Sequence, residues 1–462
     1  MKNYRYFNNF VLRTPLLPFN FLKDFLSAQE ISEADLKEVC GKKEIQEAIF
    51  LASPVLHNEM QKWLKNELKD KKETERLKYS VYKYLSRMAS RSTPFGLFAG
   101  ITLGQIADNN NFSIPSLNKY RRHTRLDMNY LCALASDLTK LPQINNSLKY
   151  FPNTSIYSIG DQLRYVEYSY VNSKRTHHIV SVDDSEYLQA VLSASRKGAY
   201  ATELAKLLVD DEISIEEAEG FITELIDSQL LLSELEPSVT GDGLLEQTLE
   251  ILDNIENIEP VKKILKGVKS NLNEIDKMPP GVSDEKYNKI AENIKELNTG
   301  FEQKFLFQTD MLKPSIDISI DKNIINEIKQ GISVLDKLST KPAETNISKF
   351  RDAFYKKYED AEIPLLKALD TELGIGYLQN NSSGDMSPLI DDIALPQTGG
   401  NSYKIEWNSI YAFLFKKYLQ AVKENKYEIE ITDKEIENLG DSSKNTENLP
   451  VSISTMVQIF LK

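Results

Sequence analysis

The sequence predicts a multidomain α+β protein of mixed helices and small sheets, with a winged helix-turn-helix module embedded near its middle. Three observations lead there. At 462 residues the chain exceeds what one hydrophobic core usually organises, so two to four units are expected. Hydrophobic residues make up 41% and charged residues 27%, the balance of a globular protein with a sizeable core. Between 150 and 236, three short strand-like runs precede three helical ones and end on a Leu230–Leu232 apolar run, the order of a winged helix.

Taken in order, the elements fall into four stretches. Residues 1–149 open with a strand over Tyr6–Leu12 that stops at Arg13-Thr14-Pro15. Helical periodicity then runs from Ser32 to Ser90, carried by Leu77, Val81, Leu85 and Met88, and Ser92-Thr93-Pro94 ends it. Phe95–Ile106 is aromatic, branched and Gly-bearing, the composition of a strand approached closely by other backbone. In 150–236 the strands are Tyr157–Ser158, Leu163–Tyr170 and Thr176–Val182, with turns at Gly160-Asp161 and Asn172-Ser173. The helices there are Ser185–Ser195, Tyr200–Leu208 and Ile215–Leu232.

Residues 237–302 read as a Glu/Lys-laced helical hairpin broken at Met278-Pro279-Pro280-Gly281. Residues 303–462 begin with the strand KFLFQTDML (304–312), a second strand SIDISI (315–320) and a helix over 321–338. A Gly/Ser/Asn-rich loop region (363–401) and a helix over 406–423 follow. The last segment, VSISTMVQIFLK, is strand-like and apolar with nothing to close it, and is expected to be a truncation point.

Composition excludes several functions. Seventeen Pro and nineteen Gly are too few for a fibrous or disordered chain. The two cysteines, Cys40 and Cys132, lie far apart without Cys or His at metal spacing, which argues against a disulfide scaffold or zinc site and fits a reducing compartment. Met1–Arg13 does not resemble a signal peptide, and no run of eighteen apolar residues exists, so a cytoplasmic protein without membrane insertion is expected. A net charge of −12 argues against a surface coated by nucleic acid, yet KYRRHTR (119–125) leaves room for a local basic groove. His57, His123, His177 and His178 stand beside no nucleophile motif; GxGxxG and P-loop patterns are missing.

The candidate chemistry is cationic. Arg87 and Arg91, four apart and followed by Ser92-Thr93-Pro94-Phe95-Gly96, would sit on one helix face beside a turn rich in N–H groups, suiting a phosphate or carboxylate. The plainer alternative is a pair of cations at a helix C-terminus. Arg13 ends a strand; Arg121, Arg122 and Arg125 form a basic run that is either phosphate-facing or simply solvated. Asp127 is placed to cap a helix starting near Met128, and Asp310 ends an apolar strand where active-site acids and turn-forming Asp both occur. The residues alone leave function open.

A resemblance narrows it. The segments FVLRTPLLPF (10–19), SRMASRSTPFGLFAG (86–100) and RLDMNYL (125–131) resemble, in order and spacing, the N-terminal region of class I lantibiotic (lanthipeptide) dehydratases. QTDML (308–312), FYKKYEDAEIPLLKALDTELGIGYL (354–378) and LPVSIS (449–454) are similar too. The resemblance implies an enzyme that transfers glutamate from glutamyl-tRNA to Ser and Thr of a precursor peptide ahead of dehydration. It implies no cofactor beyond glutamyl-tRNA as co-substrate. Arg13, Arg87, Arg91, Asp127 and Asp310 would belong to the transfer site. Thr93, Arg121, Arg122 and Arg125 would meet tRNA or glutamate.

It further implies that the 150–236 module captures the leader of the precursor by strand addition, with Thr176, His178, Val180 and Val182 on the receiving edge and Ile215–Leu232 as wall. A homodimer and a partner cyclase are family expectations. A complete dehydratase is about twice as long, its elimination domain being absent here, so the fragment alone is expected to be inactive. A non-catalytic leader-binding adaptor is the alternative.

Overall fold

In a computed structural model, the structure describes residues 4–27, 32–171, 174–238, 240–241, 243–315, 317–339, 345–377, 407–439 and 450–459. The chain splits into a larger unit, Val11–Leu103 with Ser113–Asp317, and a smaller one, Met1–Phe10, Gly104–Phe112 and Ile318–Lys462. Mixed helices and small sheets make up both, an α+β architecture as expected.

The chain opens with β1 (Asn9–Pro15), then α1 (Phe19–Ser27), α2 (Glu33–Gly41), α3 (Lys43–Ala52), α4 (Pro54–Leu64) and α5 (Lys71–Ser90). The helical stretch from Ser32 is thus cut into four pieces, and its start and two of the three cuts carry a local signal. Ser32 and Asp70 cap α2 and α5 through their side chains, and Ser53 caps α4, whose first residue is Pro54. Next come β2 (Gly96–Ala107), β3 (Asn111–Phe112), β4 (Arg121–Leu126), α6 (Met128–Thr139), α7 (Pro142–Asn145) and β5 (Lys149–Pro152).

The middle of the chain holds β6 (Tyr157–Ile159), β7 (Gln162–Val171), β8 (Lys174–Asp183), α8 (Glu186–Ala194), β9 (Ala199–Tyr200), α9 (Ala201–Leu208), α10 (Ile215–Asp227) and β10 (Leu231–Ser233). The three expected strands and three expected helices are present; the Asn172-Ser173 turn lies outside the described residues. The last helix ends at Asp227 rather than Leu232. Gln229 takes a left-handed φ of 61°, and β10 then pairs antiparallel with β5. Two small sheets result, ordered β10-β5-β9 and β6-β7-β8.

The expected helical hairpin is three helices, α11 (Leu244–Asp253), α12 (Glu259–Lys277) and α13 (Asp284–Lys295), with the predicted break between the last two. The larger unit closes with β11 (Phe307–Leu312), which starts later than KFLFQTDML suggested because Gln303–Phe305 forms a 3-10 turn.

Within the larger unit, β11 pairs antiparallel with β4 and parallel with the start of β2; β1 lies on the other edge of β2, Leu16 N–H donating to Phe98 O at 2.8 Å. One core packs α2–α5 against this sheet through Ile45, Met60, Trp63, Val81, Leu85 and Phe98; a second runs from Leu126 to Leu306 through the middle helices.

A buried polar knot joins α3, β4 and the α12–α13 turn. Arg122 is 3% exposed, ion-paired with Glu47 and bonded to Tyr287 Oη (3.3 Å), Met278 O (3.0 Å) and Pro279 O. Glu47 also accepts from Gly281 N–H at 2.6 Å, Val282 N–H at 3.0 Å and Tyr287 O–H at 2.7 Å. Gly281 sits at φ 112°, a conformation that favours glycine, and a Cβ there would press on Lys43 Cβ at 3.2 Å.

In the smaller unit, the end of β2 pairs parallel with β12 (Ile318–Asp321), which also pairs antiparallel with β3. Then follow α14 (Lys322–Leu338), α15 (Asn346–Tyr358), α16 (Leu365–Leu369), α17 (Ser409–Lys423) and α18 (Asp433–Glu437). Asp321, Thr345 and Asn408 cap α14, α15 and α17. The predicted strand 315–320 is observed only from Ile318, Ile316 lying outside the described residues, as do positions 378–401 of the Gly/Ser/Asn-rich loop. The closing segment is not a strand over 450–459. No helix among the described residues is long and apolar enough to cross a membrane.

Candidate functional site

The C-terminus of α5 meets the entry of β2 and the exit of β1. Helix α5 stops at Ser90, and Arg91 is its extended C-cap at ψ 120°. The two arginines therefore do not share a helix face, as the four-residue spacing implied. Arg87 lies on the helix and Arg91 leaves it. Arg91, Thr93 and Phe95 are exposed.

The Arg87 guanidinium stacks over the Phe95 ring at 4.8 Å, while its Nε is buried without a hydrogen-bond partner. Such an arginine is aimed and partly desolvated yet has donors to spare, a good receiver for a carboxylate or phosphate. Leu17 N–H takes the terminal carbonyl of Met88 at 2.9 Å, so the chain leaving β1 is tied to the same helix end. Arg13 stands exposed on β1, four residues before that tie.

Register brings the acidic candidate alongside. Gly96, just after the turn, pairs with Asp310 on β11, which pairs with His123 on β4. Asp310 and Arg125 form an ion pair at 3.2 Å, both about 45% exposed, 46% and 44% respectively, and Arg125 Nε also donates to Gln308 Oε1 at 3.3 Å. Arg121, His123 and Arg125 are exposed on β4 and Arg122, Thr124 and Leu126 buried, the alternation of a strand with one covered face. Arg122 thus belongs to the buried knot and is not part of the exposed basic run, a correction to its expected contact with tRNA. Asp127 does cap α6, accepting from Asn129 N–H at 2.9 Å.

Beside Arg125 lies a cleft of about 540 Å³ between β4, α11 and α12. His123, Gln308, Lys269 and Asp276 line it. Asp276 accepts from Thr124 N–H at 2.9 Å through Oδ2, whereas its Oδ1 is buried and unpartnered, and burial raises its pKa. Sequence reading passed over Asp276, which sits in no motif, and over Gln308, which lies in QTDML but was given no role. Neither cysteine offers a ready nucleophile: burial pushes the Cys40 thiol to about 12 and raises that of Cys132. Among the described residues, no group of three His, Cys, Asp or Glu is placed to hold a metal.

The β7–β8 hairpin forms a separate feature. Among the described residues, β8 pairs only with β7. The far edge of β7, by contrast, is sealed by side chains. Val166 N–H donates to Ser155 Oγ, Val166 O accepts from Asn153 Nδ2, and the Gln229 amide bonds both Tyr168 N–H and Tyr168 O, all at 2.8–3.0 Å. Even-numbered β7 residues thus direct their backbone away from β8, and the odd ones toward it. With Tyr165 opposite Val180 and Glu167 opposite His178, the even residues of β8 spend their amides on β7. The outward backbone groups are those of His177, Ile179 and Ser181. Thr176, His178, Val180 and Val182, named from sequence, point half-buried side chains inward instead.

Comparison with known proteins follows the same lines. A family model for the N terminus of lantibiotic dehydratases matches residues 41–462. The epidermin biosynthesis protein EpiB of Staphylococcus epidermidis is 24% identical over 461 residues, 98% of this chain and 43% of its own length. The subtilin biosynthesis protein SpaB of Bacillus subtilis is 23% identical, covering 98% and 42%. The nisin biosynthesis protein NisB of Lactococcus lactis subsp. lactis is 26% identical over 388 residues, covering 81% and 37%.

The crystal structure of the tRNA dependent lantibiotic dehydratase MibB from Microbispora sp. 107891 superposes with a TM-score of 0.74 at 20% identity, over 94% of this chain and 40% of that one, a likeness of fold. The chain spans less than half the length of these relatives. With the family match covering nearly the whole sequence, this chain belongs to the lantibiotic dehydratase family and corresponds to its N-terminal region.

Proposed function

We propose that the chain is the glutamyl-transfer part of a dehydratase that modifies Ser and Thr of a ribosomally made precursor peptide. The acyl donor is glutamate esterified to tRNA. The peptide hydroxyl attacks the ester carbonyl, the bond to the tRNA ribose breaks, and the hydroxyl proton ends on the departing tRNA oxygen. A polyanion must be held, a side-chain carboxylate fixed and an oxyanion stabilised, and arginine suits each task.

The observation that carries this reading is Arg87, propped on Phe95 with an unpartnered buried Nε at the junction of α5, β1 and β2. Arg13, Arg91 and Thr93 lie on the segments that meet there, and the Arg125–Asp310 pair adjoins through Gly96. We assign Arg121 and Arg125, with the cleft beside them, to the tRNA end or the glutamyl group. Asp127 acts through the α6 cap it makes. The 150–236 module, read as a winged helix, is assigned to leader capture along the outward edge of β8.

The test is glutamylation of precursor peptide by the full-length enzyme with glutamyl-tRNA, followed by mass spectrometry. Arg87→Ala should lower the rate by about 10²–10³, the size of a lost transition-state donor, while stability falls by about 1 kcal/mol or less. Near wild-type transfer by Arg87→Ala and Arg91→Ala would return both residues to the plain helix-end role. No glutamylated peptide from the unsubstituted full-length protein, with leader binding intact, would favour the adaptor alternative, which requires only the β8 edge.

A further inference from the structure

Lys313 stands out in the larger unit because it is 2% exposed and has no salt bridge to a described carboxylate. An uncompensated buried cation is costly to fold around, so a lysine in such a place calls for a reason. Its contacts supply one. Its backbone N–H donates to Ile101 O of β2 at 2.8 Å, while its Nζ donates to Thr14 Oγ1 at 2.9 Å and to Pro15 O at 2.6 Å. The ammonium also lies over the Tyr120 ring at 4.7 Å.

Lys313 follows β11 on one side of β2, and Thr14 and Pro15 are on β1 at the other. The side chain therefore crosses the face of β2. Gly100 lets it: a Cβ there would lie 3.1 Å from Lys313 Cγ and Cε and 3.0 Å from Met311 O. The glycine of the FGLFAG segment leaves a lane, and the lysine stem fills it.

What the ammonium grips is the end of the strand carrying Arg13. Leu12 and Thr14 are half-buried on the covered face of β1 and Val11 and Arg13 exposed on the other, so a hold on Thr14 from beneath fixes how Arg13 is presented above. Among the described residues, β1 pairs with β2 in the sheet. We propose that Lys313 is a positioning residue which, laid through the Gly100 lane and bonded to Thr14 and Pro15, sets the orientation of Arg13 for glutamyl transfer. This rests on the function proposed above for Arg13, and the experiment separates the two.

Lys313→Met keeps the stem and removes the ammonium. Hydrogen exchange of the chain should show residues 11–17 opening about tenfold faster, the loss of a charged hydrogen bond, with α8–α10 unchanged. In the full-length enzyme, glutamylation should fall about tenfold without a drop in melting temperature, since a buried charge has been removed rather than created. A purely structural lysine would lose activity only with stability.

The decisive arm is a cycle with Arg13→Ala. Acting through Arg13, Lys313→Met should add less than about a twofold loss in the Arg13→Ala background. Multiplying losses, or unchanged exchange over 11–17, overturns the proposal. Wild-type transfer by Arg13→Ala alone overturns it as well and refutes the role given to Arg13, whatever exchange shows of the clamp. Should Lys313→Met fail to fold, Thr14→Val removes one acceptor from the other side, and the same exchange and cycle measurements decide.

Discussion

Replacing Arg122 with Ala should destabilise the larger unit by roughly 3–5 kcal/mol, the cost of leaving a buried ion-pair partner uncompensated. Both side chains of the Arg122–Glu47 pair are 0% exposed, so neither water nor salt can stand in for the missing partner. Glu47 would keep the Gly281, Val282 and Tyr287 donors but no cation, while the Met278 and Pro279 carbonyls lose their donor. Each such loss adds about 1 kcal/mol, and a fold with about 5–15 kcal/mol in hand would give up a third of it or more.

Urea unfolding followed by tryptophan fluorescence suits the measurement, because Trp63 is 2% exposed and belongs to the core packed on α3. Arg121→Ala, one residue away on the exposed face, should stay within about 0.5 kcal/mol. Combining Arg122→Met with Glu47→Leu should recover most of the loss, because an apolar pair of similar volume carries no desolvation cost. A loss below about 1 kcal/mol for Arg122→Ala, or strictly additive effects in the double variant, would refute the knot as a support of the fold.

Other substitutions probe other features. Ile179→Pro should remove an outward amide of β8 and weaken leader binding by about tenfold or more in calorimetry with the hairpin intact. Val180→Pro should break the pairing with β7 instead, and the reverse pattern would refute the assigned register. Burial lowers the Lys313 pKa to about 8 from an ordinary 10.5. Between those values the unfolded chain holds a proton that the folded chain has released, so stability rises with pH. That contribution, up to about 3 kcal/mol, is complete above about 10.5 and lost as pH falls through 8. Lys313→Met should remove it, and equal pH slopes for both proteins in urea unfolding would contradict it. Arg121→Ala should flatten the log–log salt dependence of tRNA binding by about one unit in filter binding; an unchanged slope would remove Arg121 from the groove.

Local chemistry was readable wherever one residue decides its own surroundings. The cap at Asp127, the helix starts near Ser32 and Ser185 and the break at Pro279-Pro280-Gly281 follow from side-chain oxygens, ring constraints and positive φ. The strands and helices of 150–236 were legible for the same reason, since their periodicity repeats over several residues. Arg121–Arg125 was read as a charge run although its alternation was present: Arg122, Thr124 and Leu126 share one parity, as do Thr309 and Met311 on the neighbouring strand. Parity says which residues face together, but not which face is covered. That was decided by α3 and α12, whose Glu47 and Asp276 lie 75 and more residues away in sequence and meet β4 only in the fold. The sequence by itself determined most of the elements, several of their boundaries and the family resemblance. Tertiary structure alone decided which arginine is buried, which amides of β8 face outward and which strand Lys313 holds, because each depends on a partner that no local pattern names.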